Sequence, residues 1–149
     1  MKKISKNIKE TEILAREFLN KLKPMKSGGT VVGLYGELGA GKTTFTQSIG
    51  KILKIKRKVN SPTFVIMKRY VIKNPHFTNL FHLDAYRLKD EKELLHLGWN
   101  KIISNKEHLV FIEWPENIIK AMPKKHHQIR ISHEKDGHRK FEIKQVRPV

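Results

Sequence analysis

The sequence predicts an α/β domain with a mostly parallel sheet edged by antiparallel hairpins, and three observations carry that expectation. Thr30–Tyr35 and Leu109–Ile112 are short apolar runs without polar alternation, the pattern of strands buried on both faces. The first of these leads through a glycine-rich octapeptide, Gly36–Thr43, into a helical segment, so that strand, loop and helix follow in that order. Two later pairs of strand-like segments, Phe64–Ile72 with Asn79–Asp84 and Gln128–Ser132 with Arg139–Ile143, are each joined by turn-forming residues.

The octapeptide Gly36-Glu37-Leu38-Gly39-Ala40-Gly41-Lys42-Thr43 fits Gly-x-x-x-x-Gly-Lys-[Ser/Thr], the loop that wraps nucleotide phosphates. A triphosphate tail needs many backbone N–H groups at close range, and glycines let the chain turn inward without a Cβ in the way. Lys42 supplies a compact cation for the β- and γ-phosphates, and Thr43 offers a hydroxyl to Mg²⁺. The helix beginning at Thr44 turns the positive end of its dipole to the same place. Three-layer architecture of the P-loop nucleoside-triphosphatase type follows from this context.

With 149 residues the chain suits one domain spanning 1–149, burying roughly 70% of its unfolded surface. No apolar run approaches the ~20 residues of a membrane span, and no signal-peptide core follows Met1-Lys2-Lys3-Ile4. Zero cysteines exclude disulfides and thiolate chemistry, consistent with a cytoplasmic setting. The balance of 31 basic against 14 acidic residues gives a net charge of +17, which attracts nucleic acid weakly and without sequence preference at low salt. Lysines outnumber arginines 24 to seven, so compositional drift is the competing explanation.

Taken in order, residues 7–22 show helical spacing, with Leu14, Phe18 and Leu22 four apart and glutamates on the other positions. Thr11 lies in this helix, either as a surface residue or in contact with a nucleotide base. The helix after the phosphate loop runs to about Leu53, and the Lys54–Lys58 basic run reads as solvated surface. Asn60-Ser61-Pro62-Thr63-Phe64 is a Pro-bounded loop; Thr63 is either an ordinary turn residue or a γ-phosphate sensor.

Asp84 ends its strand, where an acid is either a turn residue bonded to its own backbone or a metal or water-positioning group. Asp90 caps the short helix Glu91–Leu97, which Gly98 stops. Glu113 closes the Leu109–Ile112 strand at its carboxyl end, where α/β sheets hold ligands, and has the form of a Walker-B acid for Mg²⁺. Trp114-Pro115-Glu116 turns the chain into a short helix, Asn117 to Met122, and Asp136-Gly137 joins the last hairpin. The eight histidines show no ligand spacing and read as surface residues.

The four segments Gly36–Phe45, Val59–Phe64, His82–Leu88 and Ile112–Pro115 together resemble the bacterial TsaE (YjeE) family, the ATPase of tRNA N6-threonylcarbamoyladenosine synthesis. The resemblance spans about residues 8 to 145. It departs mildly where Glu37 replaces the more usual Asp and Ala85 a larger apolar residue. It implies ATP and Mg²⁺ as cofactors, and work alongside the TsaD–TsaB transferase pair, with tRNA met through that complex. Nucleotide chemistry then falls on Lys42, Thr43, Asp84 and Glu113, with Thr11, the loop Gly36–Thr44 and Thr63 contacting the nucleotide. Two rivals stand beside this reading. A small P-loop kinase would need an acceptor pocket and an arginine-bearing lid, and none is evident. An ATP-binding RNA module without turnover would need the aromatic-basic signature that is missing here. For transition-state charge Arg87, three residues after Asp84, is the nearest arginine.

Overall fold

The computed structural model describes residues 1–56 and 67–146, so Ser61, Pro62 and Thr63 lie outside the described residues. In chain order the elements are β1 (Lys2–Ser5), α1 (Ile8–Lys21), β2 (Thr30–Tyr35), α2 (Lys42–Ile52), β3 (Met67–Val71), β4 (Asn79–Asp84), α3 (Lys92–His96), α4 (Trp99–Ile103), β5 (His108–Glu113), β6 (His127–His133) and β7 (Arg139–Lys144). A 3₁₀ segment, Pro115–Ala121, follows β5.

Among the described residues these strands make one seven-stranded sheet in the order β1-β7-β6-β2-β5-β4-β3. β6, β2, β5 and β4 run parallel, while β3 and the β7–β1 wing pair antiparallel at the two edges. All six residues of β2 are buried, as its unbroken apolar pattern requires of a strand covered on both faces. The predicted architecture, a parallel core with antiparallel hairpins at its margins, is the observed one.

Alternation along each strand splits the core in two. Val32, Leu34, Leu109 and Phe111 face α1 and α2, packing with Leu14, Phe18, Phe45 and Ile49. Val31, Leu83, Val110 and Ile112 face the other way, against Leu94, Trp99, Ile102 and Ile118. Phe18 is the hinge of the first layer, edge-on to Phe45 at 6.2 Å and to Phe111 at 6.4 Å. Its truncation to Ala would cost about 3–5 kcal/mol, because the surrounding rings cannot collapse into the space.

α1 starts where predicted because Asn7 accepts from the Glu10 N–H at 2.9 Å while Glu10 accepts from the Lys6 N–H at 2.9 Å. Asp90 likewise accepts from the N–H of Lys92 at the head of α3. Three elements differ from expectation. β1 has no predicted counterpart: four residues with two lysines carry too little pattern, and pairing to β7 creates the strand. α4 is a further short helix, begun by Gly98 at φ 78° and held by the Trp99 indole N–H donating to Ala121 O. The helix expected over Asn117–Met122 is 3₁₀, broken at Ile118 (φ −135°).

Candidate nucleotide site

Helix α2 begins at Lys42 with Gly41 as its N-cap and no side chain capping its first turn. Its first N–H groups therefore point out of the helix without a side-chain acceptor, the arrangement that receives anions. Gly36, Gly39 and Gly41 all take positive φ, at 149°, 77° and 112°. They differ in purpose. A Cβ on Gly36 would lie 2.4 Å from the backbone oxygen of Ile131, so this glycine is demanded by the neighbouring strand rather than by a ligand. A Cβ on Gly39 would meet nothing within 4 Å.

A cavity of about 480 Å³ opens over this loop. Leu38, Gly39, Gly41, Lys42, Thr43 and Thr44 form its floor, and Asp84, Tyr86, Glu113 and Trp114 form one wall. Ser5, Asn7, Ile8 and Thr11 form the opposite wall with Arg139 and Phe141. Ala40 is buried beneath the loop, and Glu37 is an exposed loop residue whose carbonyl accepts from Ala40 N–H. Of the residues singled out in the sequence, Thr11, Lys42, Thr43, Thr44, Asp84 and Glu113 thus meet around one space, while Thr63 lies outside the described residues.

Lys42 is only 4% exposed; its ammonium donates to Gly36 O and lies 3.5 Å from the centroid of the Trp114 ring. Burial draws its pKa below the usual lysine value, while Glu113, Glu116 and Asp84 pull it back up. Trp114 reaches this position by taking φ 61°, a left-handed conformation that is strained for a residue with a Cβ. Tyr86 stands beside it at 5.1 Å.

Glu113 and Asp84 are register partners on β5 and β4. The Thr43 hydroxyl donates to the Glu113 carboxylate at 3.0 and 3.1 Å. Asp84 Oδ1 accepts from the Tyr86 N–H at 2.9 Å, so the turn role considered for it is real and coexists with its place in the cavity wall. Asn117 donates to Ala85 O and Tyr86 O, tying the loop after Asp84 to the segment after Trp114.

The residues present fit a magnesium ion in the chemistry of their donors. A hydroxyl and a carboxylate in direct contact give hard oxygens beside a phosphate-shaped loop, and Mg²⁺ is usually held by one or two carboxylates with substrate phosphates.

On the far wall Ser5 Oγ donates to Asn7 O at 2.8 Å and lies 2.7 Å from Thr11 Oγ1. Ser5 has one hydrogen to give. With it spent on Asn7, Thr11 donates to Ser5 and keeps both of its lone pairs as acceptors beside the cavity.

Three histidines correct the expectation that all are surface residues: His82, His126 and His127 are buried. His82 Nε2 lies 2.7 Å from Glu113 Oε2. His126 joins Pro123 O and the Tyr35 hydroxyl, and His127 Nδ1 accepts from the Val146 N–H. The signal for His82 was its place two residues before Asp84, on the same strand face. Arginine placement also differs. Arg87 is exposed and absent from the cavity lining, whereas the half-buried Arg139 lines it and donates to Gly39 O at 3.3 Å.

Known proteins resemble this chain over most of its length. Residues 5–141 match the family model described as "Threonylcarbamoyl adenosine biosynthesis protein TsaE". The chain is 38% identical to a tRNA threonylcarbamoyladenosine biosynthesis protein TsaE of Bacillus subtilis (strain 168), covering 91% of this chain and 79% of that one. It is 39% identical to the protein of the same name from Rickettsia bellii (strain RML369-C), covering 76% and 74%. A crystal structure of Bacillus subtilis YdiB superposes with a TM-score of 0.73 at 31% identity, over 99% of this chain and 86% of that one. The chain belongs to the TsaE family of threonylcarbamoyl adenosine biosynthesis proteins.

Proposed function

We propose that this protein is a cytoplasmic, Mg²⁺-dependent ATPase that assists the TsaD–TsaB transferase pair in forming N6-threonylcarbamoyladenosine at position 37 of tRNAs. The observation that carries the reading is the meeting of Lys42, Thr43 and Glu113 at the uncapped N-terminus of α2, with Thr43 Oγ1 3.0 Å from the carboxylate. Family membership supports the pathway, and the resemblance implies the partners.

In this reading the loop amides and Lys42 receive the phosphate oxygens, Lys42 exchanging Gly36 O and the Trp114 face for them. Thr43 and Glu113 would hold Mg²⁺, which supplies charge neutralisation on the phosphates when bound. Asp84, beside Glu113 in register and in the same cavity lining, orients water. Thr11 offers an acceptor to the base, and Arg139 places a fixed cation at the lip of the loop. No helix among the described residues is long and apolar enough to cross a membrane. RNA contact by this chain alone is weak and salt-sensitive, the behaviour of diffuse positive charge.

The test is phosphate release by the chain alone, with the TsaD–TsaB pair, and with that pair plus unmodified tRNA. Slow turnover alone and strong stimulation by the pair are expected; supplying a missing transition-state group is worth roughly 10³–10⁵ in rate. Fast hydrolysis by the lone protein, unchanged by partners, would overturn the assisting role.

A further inference from the structure

We propose that His82 is the positioning residue for Glu113: its Nε2–H fixes one carboxylate oxygen so that the other stays aimed at the divalent cation. This rests on the Mg·ATP reading above and extends it to a residue that makes no contact with nucleotide.

His82 sits on β4 in register with Phe111, two pairs before Asp84 and Glu113. Residues 82 and 84 share a face of β4, and 111 and 113 share a face of β5, so His82 reaches Glu113 diagonally. The imidazole is fully buried and Nε2 lies 2.7 Å from Oε2. Glu113 Oε1 is met by Thr43 at 3.0 Å, and Oε2 by Thr43 at 3.1 Å and by His82. A Thr43 hydroxyl that ligates a cation through a lone pair keeps one hydrogen, enough to hold one of the two carboxylate oxygens. Among the described residues, His82 is the second donor, fixed on Oε2.

The other ring nitrogen argues for the same role. Nδ1 is buried without a hydrogen-bond partner among the described residues. A ring kept only for packing would serve better as Phe or Leu, which leave no polar atom stranded. What histidine adds at this position is one N–H directed at Glu113. Ligating carboxylates are commonly held in this way, and loss of such support lowers metal affinity by about 10–100-fold.

Three variants test this, using Mn²⁺ as the metal and a non-hydrolysable ATP analogue as the nucleotide. The readout is the gain in analogue affinity that Mn²⁺ confers over EDTA, with Mn²⁺ binding followed by electron paramagnetic resonance and folding by thermal melting. His82→Phe keeps the volume and removes the donor; it is expected to lose about 10–100-fold of the Mn²⁺ gain while its affinity in EDTA stays within about twofold. His82→Gln places an amide N–H near the Nε2 position and is expected to keep most of the gain. His82→Asn places its amide near Nδ1, out of reach of Glu113, and is expected to behave like Phe. Should His82→Phe fail to fold, the Gln and Asn pair carries the comparison. A full Mn²⁺ gain in His82→Phe, or equal losses in well-folded Gln and Asn variants, would overturn the role. A wild type showing no Mn²⁺ gain would instead sink the Mg·ATP reading, and this role with it.

Discussion

The Lys42 ammonium lies over the Trp114 ring, 3.5 Å from nitrogen to ring centroid, in the lining of the candidate nucleotide cavity. A cation over an indole face is worth about 0.5–2 kcal/mol, yet phosphate oxygens compete for the same ammonium with full charge. Nucleotide binding should therefore draw Lys42 away and change the emission of Trp114. A fluorescence titration with ATP is expected to show a saturable change that Trp114→Phe abolishes, since the second tryptophan, Trp99, is fully buried and absent from the cavity lining. A signal that persists in Trp114→Phe would place the reporter elsewhere.

Lys42→Ala removes the cation from a site where burial already disfavours uncompensated charge. Phosphate release should fall by about 10²–10³-fold or more, the usual loss for one transition-state charge stabiliser. Melting temperature should hold or rise, because the fold no longer buries an ammonium whose charge desolvation disfavours. A near-wild-type rate would end the phosphate-loop reading.

Glu113→Gln keeps the shape of the carboxylate and loses its charge. It should bind nucleotide in EDTA like wild type and lose about 10²-fold or more in Mg²⁺-dependent turnover. Asp84→Asn, whose Oδ1 bond to Tyr86 N–H survives the change, should affect turnover at saturating Mg²⁺ less. If the asparagine variant is the more damaged, the roles of these register partners are exchanged.

Thr11→Val keeps the branched shape and deletes the acceptor that Ser5 leaves open. An acceptor suits the exocyclic amino group of adenine and opposes the carbonyl of guanine. Preference for ATP over GTP, measured as a ratio of binding constants, is expected to shrink by about three- to tenfold. An unchanged ratio would assign base selection to other groups.

His127 predicts a pH dependence of stability. Burial, with a smaller contribution from His126, lowers its pKa from 6.5 to about 4. Protonation also removes the lone pair that accepts from Val146 N–H. The unfolded chain therefore binds a proton that the folded chain refuses between pH 6.5 and about 4. Stability is full above this window and falls as pH drops through it, by about 1.4 kcal/mol per unit and about 3 kcal/mol in all. Denaturant midpoints from pH 7 to 4 should show this slope, and His127→Gln should flatten it.

Local pattern made the phosphate loop, β2, β5 and both hairpins readable in the sequence, because each carries its signal within about ten residues. Glu113 was readable as an acid that ends an apolar run. His82 was not: whether a histidine faces solvent or a carboxylate depends on which strand lies beside it, and that pairing is tertiary. Arg139 was hidden for a similar reason, since it reaches Gly39 across a separation of 100 residues. β1 carried almost no periodicity of its own. Its lysines face out, and only the register with β7 makes Lys2–Ser5 a strand.

That register has a temporal consequence. Ser5 and Arg139 are partners across β1 and β7, and both line the wall of the cavity away from Glu113. The phosphate loop leaves the ribosome well before the wall that would enclose a base, whose Arg139 follows Gly39 by 100 residues. At about 5–20 residues per second, the nascent chain spends seconds with a loop and no chamber. Under the proposed ATP reading, a nascent chain without β7 would have no enclosed site, and the stabilisation that ligand gives to a native state would begin only once β7 has paired.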